Sequence, residues 1–404
     1  MAKNSELGVY QQKNGFWMYR YTITVDGKKQ EHKGTKDAFG NPLRTKKEAI
    51  RARDISRENL KKSRTEKPQV TRRTVKEVYH EFCEKGRNDR AYTTKLKQDS
   101  LWNNHISIRY GNRFVDEITV AEINDYLSDL YYNVGLSYQY TESFLKMFYL
   151  IFGQAYSRNH LDAETYSKLC KNKDTKIHMP KMKDEDDTDI VAFSRDEISL
   201  LDDYFRGTNA ETAYLLGKYC GLRINECYGL KWDHVDLSEG TIFIDRQMQY
   251  QEGLIKLVPV KTRNGKRQII LCSKMQEYLR SLAEQRQKDM ETLSAVREQN
   301  QTIISDLDGS NLSSTELVNC LSNGKIQTVN SMKFHSQAIK RNLGIDFKYH
   351  YLRHTYGTRM AELNTPEHLL CAQMGHGHIH VTQLYYLAVT KTGLDVLKEK
   401  VDQL

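Results

Sequence analysis

"YHYLRHTYGTRM", residues 349–360, sets two histidines, three tyrosines and two arginines into one short stretch. His350 and Arg353 stand three apart, so on a helix they share one face. Taken alone, that is a satisfied helix pair. Its meaning depends on what else in the chain can converge on the same point.

Four other stretches hold polar residues that a plain helix or strand would not need. "YCGLRINECYGLKWDHVDL" (219–237) places Arg223 among leucines, with Glu226 three residues later to orient it. "VPVKTRNGKRQ" (258–268) puts Lys261 just before a turn at Asn264-Gly265, where a lysine can reach out from a hairpin. "QMGHGHIH" (373–380) carries His376 directly after Gly375, the expected end of a helix. "VTQLYYLAV" (381–389) supplies Tyr385 and Tyr386, by default core aromatics. Each piece has an ordinary structural reading; together they bring two arginines, a lysine, two histidines and a tyrosine. Paired guanidiniums can bind both non-bridging oxygens of a phosphate and stabilise the charge that develops as it is attacked. A tyrosine hydroxyl can be the nucleophile and a lysine can protonate the departing oxygen. No carboxylates cluster in these pieces to hold Mg²⁺, so no cofactor is expected. The alternating His376, His378 and His380 lack a cysteine or carboxylate to complete a shell, so no metal site is expected there.

At 404 residues the chain suits two or three domains. Its net charge of +9 is unevenly spread. Residues 1–73 hold 19 Lys and Arg against 8 Asp and Glu, whereas the remainder holds 42 against 44. The excess lies wholly at the N-terminal side, as in a module that grips a polyanion; the plainer alternative is a solvated basic surface. The 7 scattered cysteines contain no C-x-x-C pair and fit reduced thiols. With no apolar signal core in MAKNSELGVY and no run of membrane-spanning length, a soluble intracellular protein with no membrane partner is expected.

Residues 8–34 alternate aromatic or β-branched residues with polar ones around turns at Asn14-Gly15 and Asp26-Gly27, which predicts a three-stranded antiparallel meander. A basic helix follows over 45–63, then a charged linker, "RTEKPQVTRR". Residues 74–170 read as all-helical. Thr119 and Glu122 mark a capping box, and "TESFLKMFYLIFGQAYSRNHL" (141–161) is apolar around most of its circumference. Residues 171–190 are polar and read as a linker. Beyond them lie helices from a Ser194–Glu197 capping box onward and one β-meander of "GTIFID", "LVPVKT" and "RQIIL". Residues 282–330 read as a protruding helix with a loop. The fold class is therefore α+β multidomain: a sheet plus helix (1–66), a helical domain (72–171), and a mainly helical domain with a small antiparallel sheet (190–404).

The order Arg…Lys…His-x-x-Arg…His…Tyr resembles the tyrosine recombinase family, the integrases of phages and conjugative transposons, along essentially the whole chain. The resemblance implies an arm-DNA-binding domain, a core-DNA-binding domain and a catalytic domain, the last two clamping duplex DNA. It implies site-specific cutting and rejoining through a 3′-phosphotyrosyl bond, for integration and excision of a mobile element. Tyr385 would be the nucleophile, Arg223, Arg353, His350 and His376 would hold the phosphate, Lys261 would be general acid and Glu226 a brace. In the family a histidine often follows the nucleophile by two residues, whereas Leu387 and Ala388 stand here. Tyr385 is preferred because it lies nine residues after His376; Tyr386 lies ten after it, a spacing some members use. Lys28, Lys29, Arg72 and Arg73 are the expected DNA-backbone contacts. The partners implied are double-stranded DNA at core and arm sites, further copies of the chain in a tetramer, and DNA-bending or excision accessory proteins. Leu394, Leu397, Val401 and Leu404 share a helical face; such tails dock on their own domain or, as the resemblance suggests, on a neighbouring protomer. A type IB-like topoisomerase and a catalytically inactive DNA-binding regulator are the competing readings.

Overall fold

The computed structural model describes residues 8–25, 28–38, 40–65, 70–183, 191–386 and 401. It divides into two compact units, Met1–Met182 and Lys183–Leu404, each taken by itself below.

The first unit begins with β1 (Val9–Gln11), β2 (Trp17–Val25) and β3 (Lys28–Gly34), an antiparallel sheet in that order. The period of two separates its faces. Tyr19 and Tyr21 are buried with Ala49 and Ala52 of α1 (Lys46–Thr65), while Arg20, Thr22 and Thr24 are exposed. The Tyr21 hydroxyl shares a hydrogen bond of 2.9 Å with Ser56 Oγ, tying sheet to helix. The expected meander and helix are both present; the Asp26-Gly27 turn lies outside the described residues.

Helices follow: α2 (Val75–Glu81), α3 (Tyr92–Leu101), α4 (Ser107–Tyr110), α5 (Val120–Ser128), α6 (Tyr138–Ser157) and α7 (Ala163–Tyr166). The apolar spacing of α6 puts Phe144, Phe148, Ile151, Phe152 and Ala155 at the centre of a second core. Thr119 accepts from the Glu122 amide at 3.3 Å, but the Glu122 carboxylate turns to Arg113 instead of closing the capping box.

The second unit opens on α8 (Arg195–Phe205), with the expected Ser194–Glu197 box fully formed. Next come α9 (Glu211–Cys220), α10 (Ile224–Tyr228), β4 (Val235–Asp236), β5 (Thr241–Ile244), β6 (Arg246–Gln251), β7 (Leu254–Pro259) and β8 (Arg267–Ile270). Then follow α11 (Ser273–Thr292), α12 (Ser294–Asn300), β9 (Ile303–Ser305), β10 (Asn311–Ser313), α13 (Val329–Leu343), α14 (Tyr349–Glu362) and α15 (Glu367–Met374). One core joins Leu216, Leu222, Leu230, Ile242, Ile269 and Leu352.

The sheets here differ from the single meander expected. β5 pairs with β8, in the order β4-β5-β8, while β7 belongs to a separate sheet, β10-β9-β7-β6. Lys261 thus lies in a crossing between two sheets, not in a hairpin. The polar strand β6 (Arg246, Gln247, Gln249, Gln251) is the true partner of β7, and its composition concealed it. Nor do residues 282–330 simply protrude: they return β9 and β10 to that sheet, β9 running parallel to β7 at Lys256↔Ser305. No helix among the described residues is long and apolar enough to cross a membrane.

Candidate active site

Three helix ends meet in the second unit. Gly221 ends α9 in the left-handed region at φ 61°, where a Cβ would come within 2.6 Å of the Tyr356 ring. That turn reverses the chain and sets Arg223 at the start of α10. Its backbone amide donates to Glu226 Oε2 at 3.0 Å and its Nη1 to Glu226 Oε1 at 2.7 Å. The Arg223 side chain keeps 37% of its surface exposed, whereas Glu226 keeps 2%.

Arg353, one turn into α14, is 1% exposed. Its guanidinium donates to Gly221 O and Met374 O, stitching the ends of α9 and α15 together. Burial, then Arg223 and Arg267, pull its pKa to about 9, which still leaves it charged at neutral pH. Burial alone would push Glu226 up. Arg267, Arg223 and Arg353 outweigh that and hold its carboxyl below the usual range.

Arg267 was not singled out from the sequence. It enters from β8 and donates to Glu226 Oε2 at 2.9 Å, Gln373 O at 3.0 Å and Gly265 O at 2.9 Å. An arginine at an inward register position, two residues before Ile269, was the signal available: a charge on that face needs a buried partner.

His376 follows Gly375, which closes α15 at φ 67°. It is 4% exposed, and its Nδ1 shares a hydrogen bond of 2.8 Å with Thr382 Oγ1. Burial, then Arg353, Arg223, Arg267 and His350, hold its pKa down to about 3. His350 opens α14 with its ring 4.6 Å from that of His354. Although its side chain reaches solvent, the protein packed around it, then His354, Arg353 and Arg223, pull it down to about 4. Both imidazoles are neutral at physiological pH.

Tyr385 is 3% exposed and stacks on His376, ring centroids 5.8 Å apart. Burial raises its pKa, and Arg353 and Arg223 are near enough to draw it back. Its hydroxyl has no hydrogen-bond partner among the described residues. The Tyr386 hydroxyl, in contrast, donates to Thr365 O. His354 touches the Tyr385 ring at 5.9 Å and binds Val191 O through Nδ1 at 3.3 Å; the sequence pattern did not reveal it either.

Lys261 is exposed and forms no ion pair among the described residues. The turn it precedes is pinned to the site, because Asn264 Nδ2 donates to His376 O at 3.1 Å. The structure thus brings Arg223, Glu226, His350, Arg353, His376 and Tyr385 together and leaves Lys261 at the margin. His378 and His380 are exposed, and no group of three potential metal ligands occurs among the described residues. Three guanidiniums surround one carboxylate beside neutral imidazoles and a phenol, so the site suits an anion such as a phosphodiester.

The remaining candidates lie in the first unit. Lys29 is exposed on β3, and Lys28 begins that strand. Arg72 pairs with Asp116 at 3.0 Å and with Glu117, its guanidinium 4.0 Å from the Phe114 ring centroid. Arg73 pairs with Glu77 at 2.9 Å. The tail from 387 onward, apart from Val401, lies outside the described residues.

Residues 193–392 match the phage integrase family. Over 396 residues the chain is 27% identical to a tyrosine recombinase XerC-like protein of Caldanaerobacter subterraneus subsp. tengcongensis, covering 93% of this chain and 94% of that one. The fold resembles the Tn1549 transposon integrase, solved with transposon right end DNA, at a TM-score of 0.62 and 19% identity, over 81% of this chain and 100% of the other. It also resembles lambda integrase, solved as a tetramer on a Holliday junction, at 0.52 and 14%, over 95% and 96%.

Proposed function

The chain belongs to the tyrosine recombinase family as a tyrosine-type site-specific recombinase, and from that premise we propose that it moves a mobile element by integration and excision. In this reading Tyr385 attacks a backbone phosphate of duplex DNA, forming a 3′-phosphotyrosyl bond and releasing a 5′-hydroxyl. Arg223 and Arg353 hold the non-bridging oxygens, with His350 and His376 beside them. Because both imidazoles are neutral, either can accept the phenol proton as attack proceeds. Lys261 protonates the departing 5′-oxygen, and Glu226 braces Arg223. Attack by the 5′-hydroxyl of another duplex reverses these steps. The phosphodiester energy is kept in the covalent bond, so rejoining needs no nucleotide cofactor.

The observation that carries this reading is the placement of Tyr385. It is stacked on His376, within the field of both arginines, and its hydroxyl is uncommitted among the described residues. We assign residues 1–66 to arm-site binding, 72–171 to core-site binding and 190–404 to catalysis, with assembly as a tetramer on DNA in the bacterial cytoplasm. Lys28, Lys29, Arg72 and Arg73 are proposed backbone contacts. The DNA-bound states of the Tn1549 and lambda integrases support the choice of substrate.

The test is a nicked suicide duplex from the end of the element carrying the gene, incubated with the protein and EDTA. A covalent adduct on a denaturing gel, mapped to Tyr385 by mass spectrometry, is expected. Tight binding without an adduct would favour a DNA-binding regulator.

A further inference from the structure

Four consecutive carbonyls at the end of α15 each accept a hydrogen bond from a different side chain. Gln373 O accepts from Arg267, Met374 O from Arg353, Gly375 O from Arg223 and His376 O from Asn264. The last carbonyls of a helix lack intrahelical partners, and the negative end of its dipole lies there. This end therefore holds three like-charged guanidiniums close together, with Glu226 completing the compensation.

Within this arrangement the three arginines are not equivalent. Arg223 keeps an exposed face on which an anion can settle. The Arg267 side chain is 4% exposed and every contact it makes is inside the protein. It meets Glu226, which carries Arg223; Gly265, in the turn after Lys261; and Gln373, ahead of His376. One planar guanidinium thus touches three segments that bring functional groups to the site.

We propose that Arg267 is a positioning residue of the recombinase site, acting through Glu226 on Arg223 and through the end of α15 on His376. The inference rests on the reading of the site given above. Glu226 Oε1 accepts from Arg223 at 2.7 Å and from Arg267 at 3.3 Å, while Oε2 accepts from Arg267 at 2.9 Å. Without Arg267 the carboxylate keeps only its two bonds to Arg223, from the backbone amide and from Nη1, and loses the contacts that tie that pair to β8 and to the end of α15. Lysine cannot substitute, because one ammonium cannot span both carboxylate oxygens and two carbonyls in a plane.

The charged and titratable groups facing Glu226 are Arg223 beside it, Cys227 next in α10, Arg267 from β8 and Arg353 from α14. Removing Arg267 takes away the strongest of the influences that keep Glu226 ionised, so its titration moves up in pH.

The test compares the unaltered chain, Arg267→Gln and Arg267→Lys on the nicked duplex. It measures DNA affinity, thermal unfolding and the single-turnover rate of adduct formation across pH. Both variants are expected to bind at wild-type affinity and to cleave about a hundredfold more slowly, the scale of a misplacement near 1 Å. Arg267→Gln also gains an acid limb, its rate falling as pH is lowered and Glu226 protonates at a higher pH than in the unaltered chain. Should Arg267→Gln fail to fold, Arg267→Lys, which keeps the charge, carries the comparison. Wild-type cleavage in the variants, or a loss that only tracks the unfolded fraction, would overturn this role alone. Absence of any adduct from the unaltered chain would overturn the underlying chemistry and this role with it.

Discussion

Tyr385 and Tyr386 are chain neighbours, yet one packs on His376 in reach of two guanidiniums while the other gives its proton to Thr365 O. A nucleophile needs a hydroxyl whose proton is not already committed and a cationic field, and among the described residues Tyr385, not Tyr386, has both. Tyr385→Phe should abolish the covalent adduct with DNA affinity intact; Tyr386→Phe should retain it. An adduct that persists in Tyr385→Phe and vanishes in Tyr386→Phe would reverse the assignment. Lys261 calls for a different test, since it is exposed and without an ion pair among the described residues. A general acid matters only when the leaving group is poor. Lys261→Ala should therefore slow cleavage of ordinary DNA by about 10²–10⁴-fold and be restored by a 5′-bridging sulfur, whose thiolate leaves without a proton. Failure of sulfur to restore the rate would remove Lys261 from this role. His376 makes a statement about stability. Its folded pKa near 3 lies below the unfolded value of about 6.5, so between them the unfolded chain binds more protons. Its contribution is whole above about pH 6.5 and is lost as pH falls toward the folded value; His350 acts in the same direction. The thermal midpoint should fall between about pH 7 and 5, and His376→Gln should flatten that fall. An unchanged slope would show that other groups set it.

At the scale of elements, the end of α15 organises the site, and Gly375 makes that end possible. A Cβ there would meet Arg267 Cδ and Asn264 O, both at 2.8 Å, in a left-handed conformation that already disfavours side chains. Gly375→Ala should cost on the order of 1–3 kcal/mol and slow cleavage beyond that cost, as it separates Arg267 from Gln373 O and Asn264 from His376 O. A variant with both stability and rate intact would show the clamp to be incidental. Much of this architecture could be read in advance from local pattern. The 3.6 period of α6, the alternation of β2 and the Ser194 box each depend on neighbours in sequence, so they were legible. The pairing of β5 with β8, the parallel approach of β9 to β7 and the crossing that bears Lys261 were not. Those depend on which distant strands meet, and pairing energy depends on context more than on intrinsic preference. The same limit hid Arg267. Its position in β8 announced a buried charge, but that its partner is the brace of Arg223 emerges only when α10, β8 and α15 are folded together.

At the scale of the whole molecule, charge is the property most easily misread from counts. The N-terminal 73 residues carry 19 basic against 8 acidic side chains, but several of those cations are already neutralised. Arg20 pairs with Glu31 at 2.6 Å, Arg53 with Asp54 at 2.7 Å, Arg72 with Asp116 at 3.0 Å and Arg73 with Glu77 at 2.9 Å. Lys29 and Lys33, by contrast, are exposed on β3 with no ion pair among the described residues, on the same face as Arg20 and Thr22. A paired cation must give up its carboxylate to take a phosphate, whereas a free lysine only releases counterions. The two sets should therefore differ in salt dependence on generic duplex DNA. Replacing Lys29 and Lys33 together by glutamine should make log K against log salt shallower by about 0.9 for each phosphate no longer neutralised. The Arg72→Gln, Arg73→Gln pair should change that slope less and lower the thermal midpoint instead, since the ties to Asp116, Glu117 and Phe114 go with it. Equal slopes for the two double variants would mean that DNA draws Arg72 and Arg73 out of their pairs. The linker would then be as much a part of the DNA grip as the sheet.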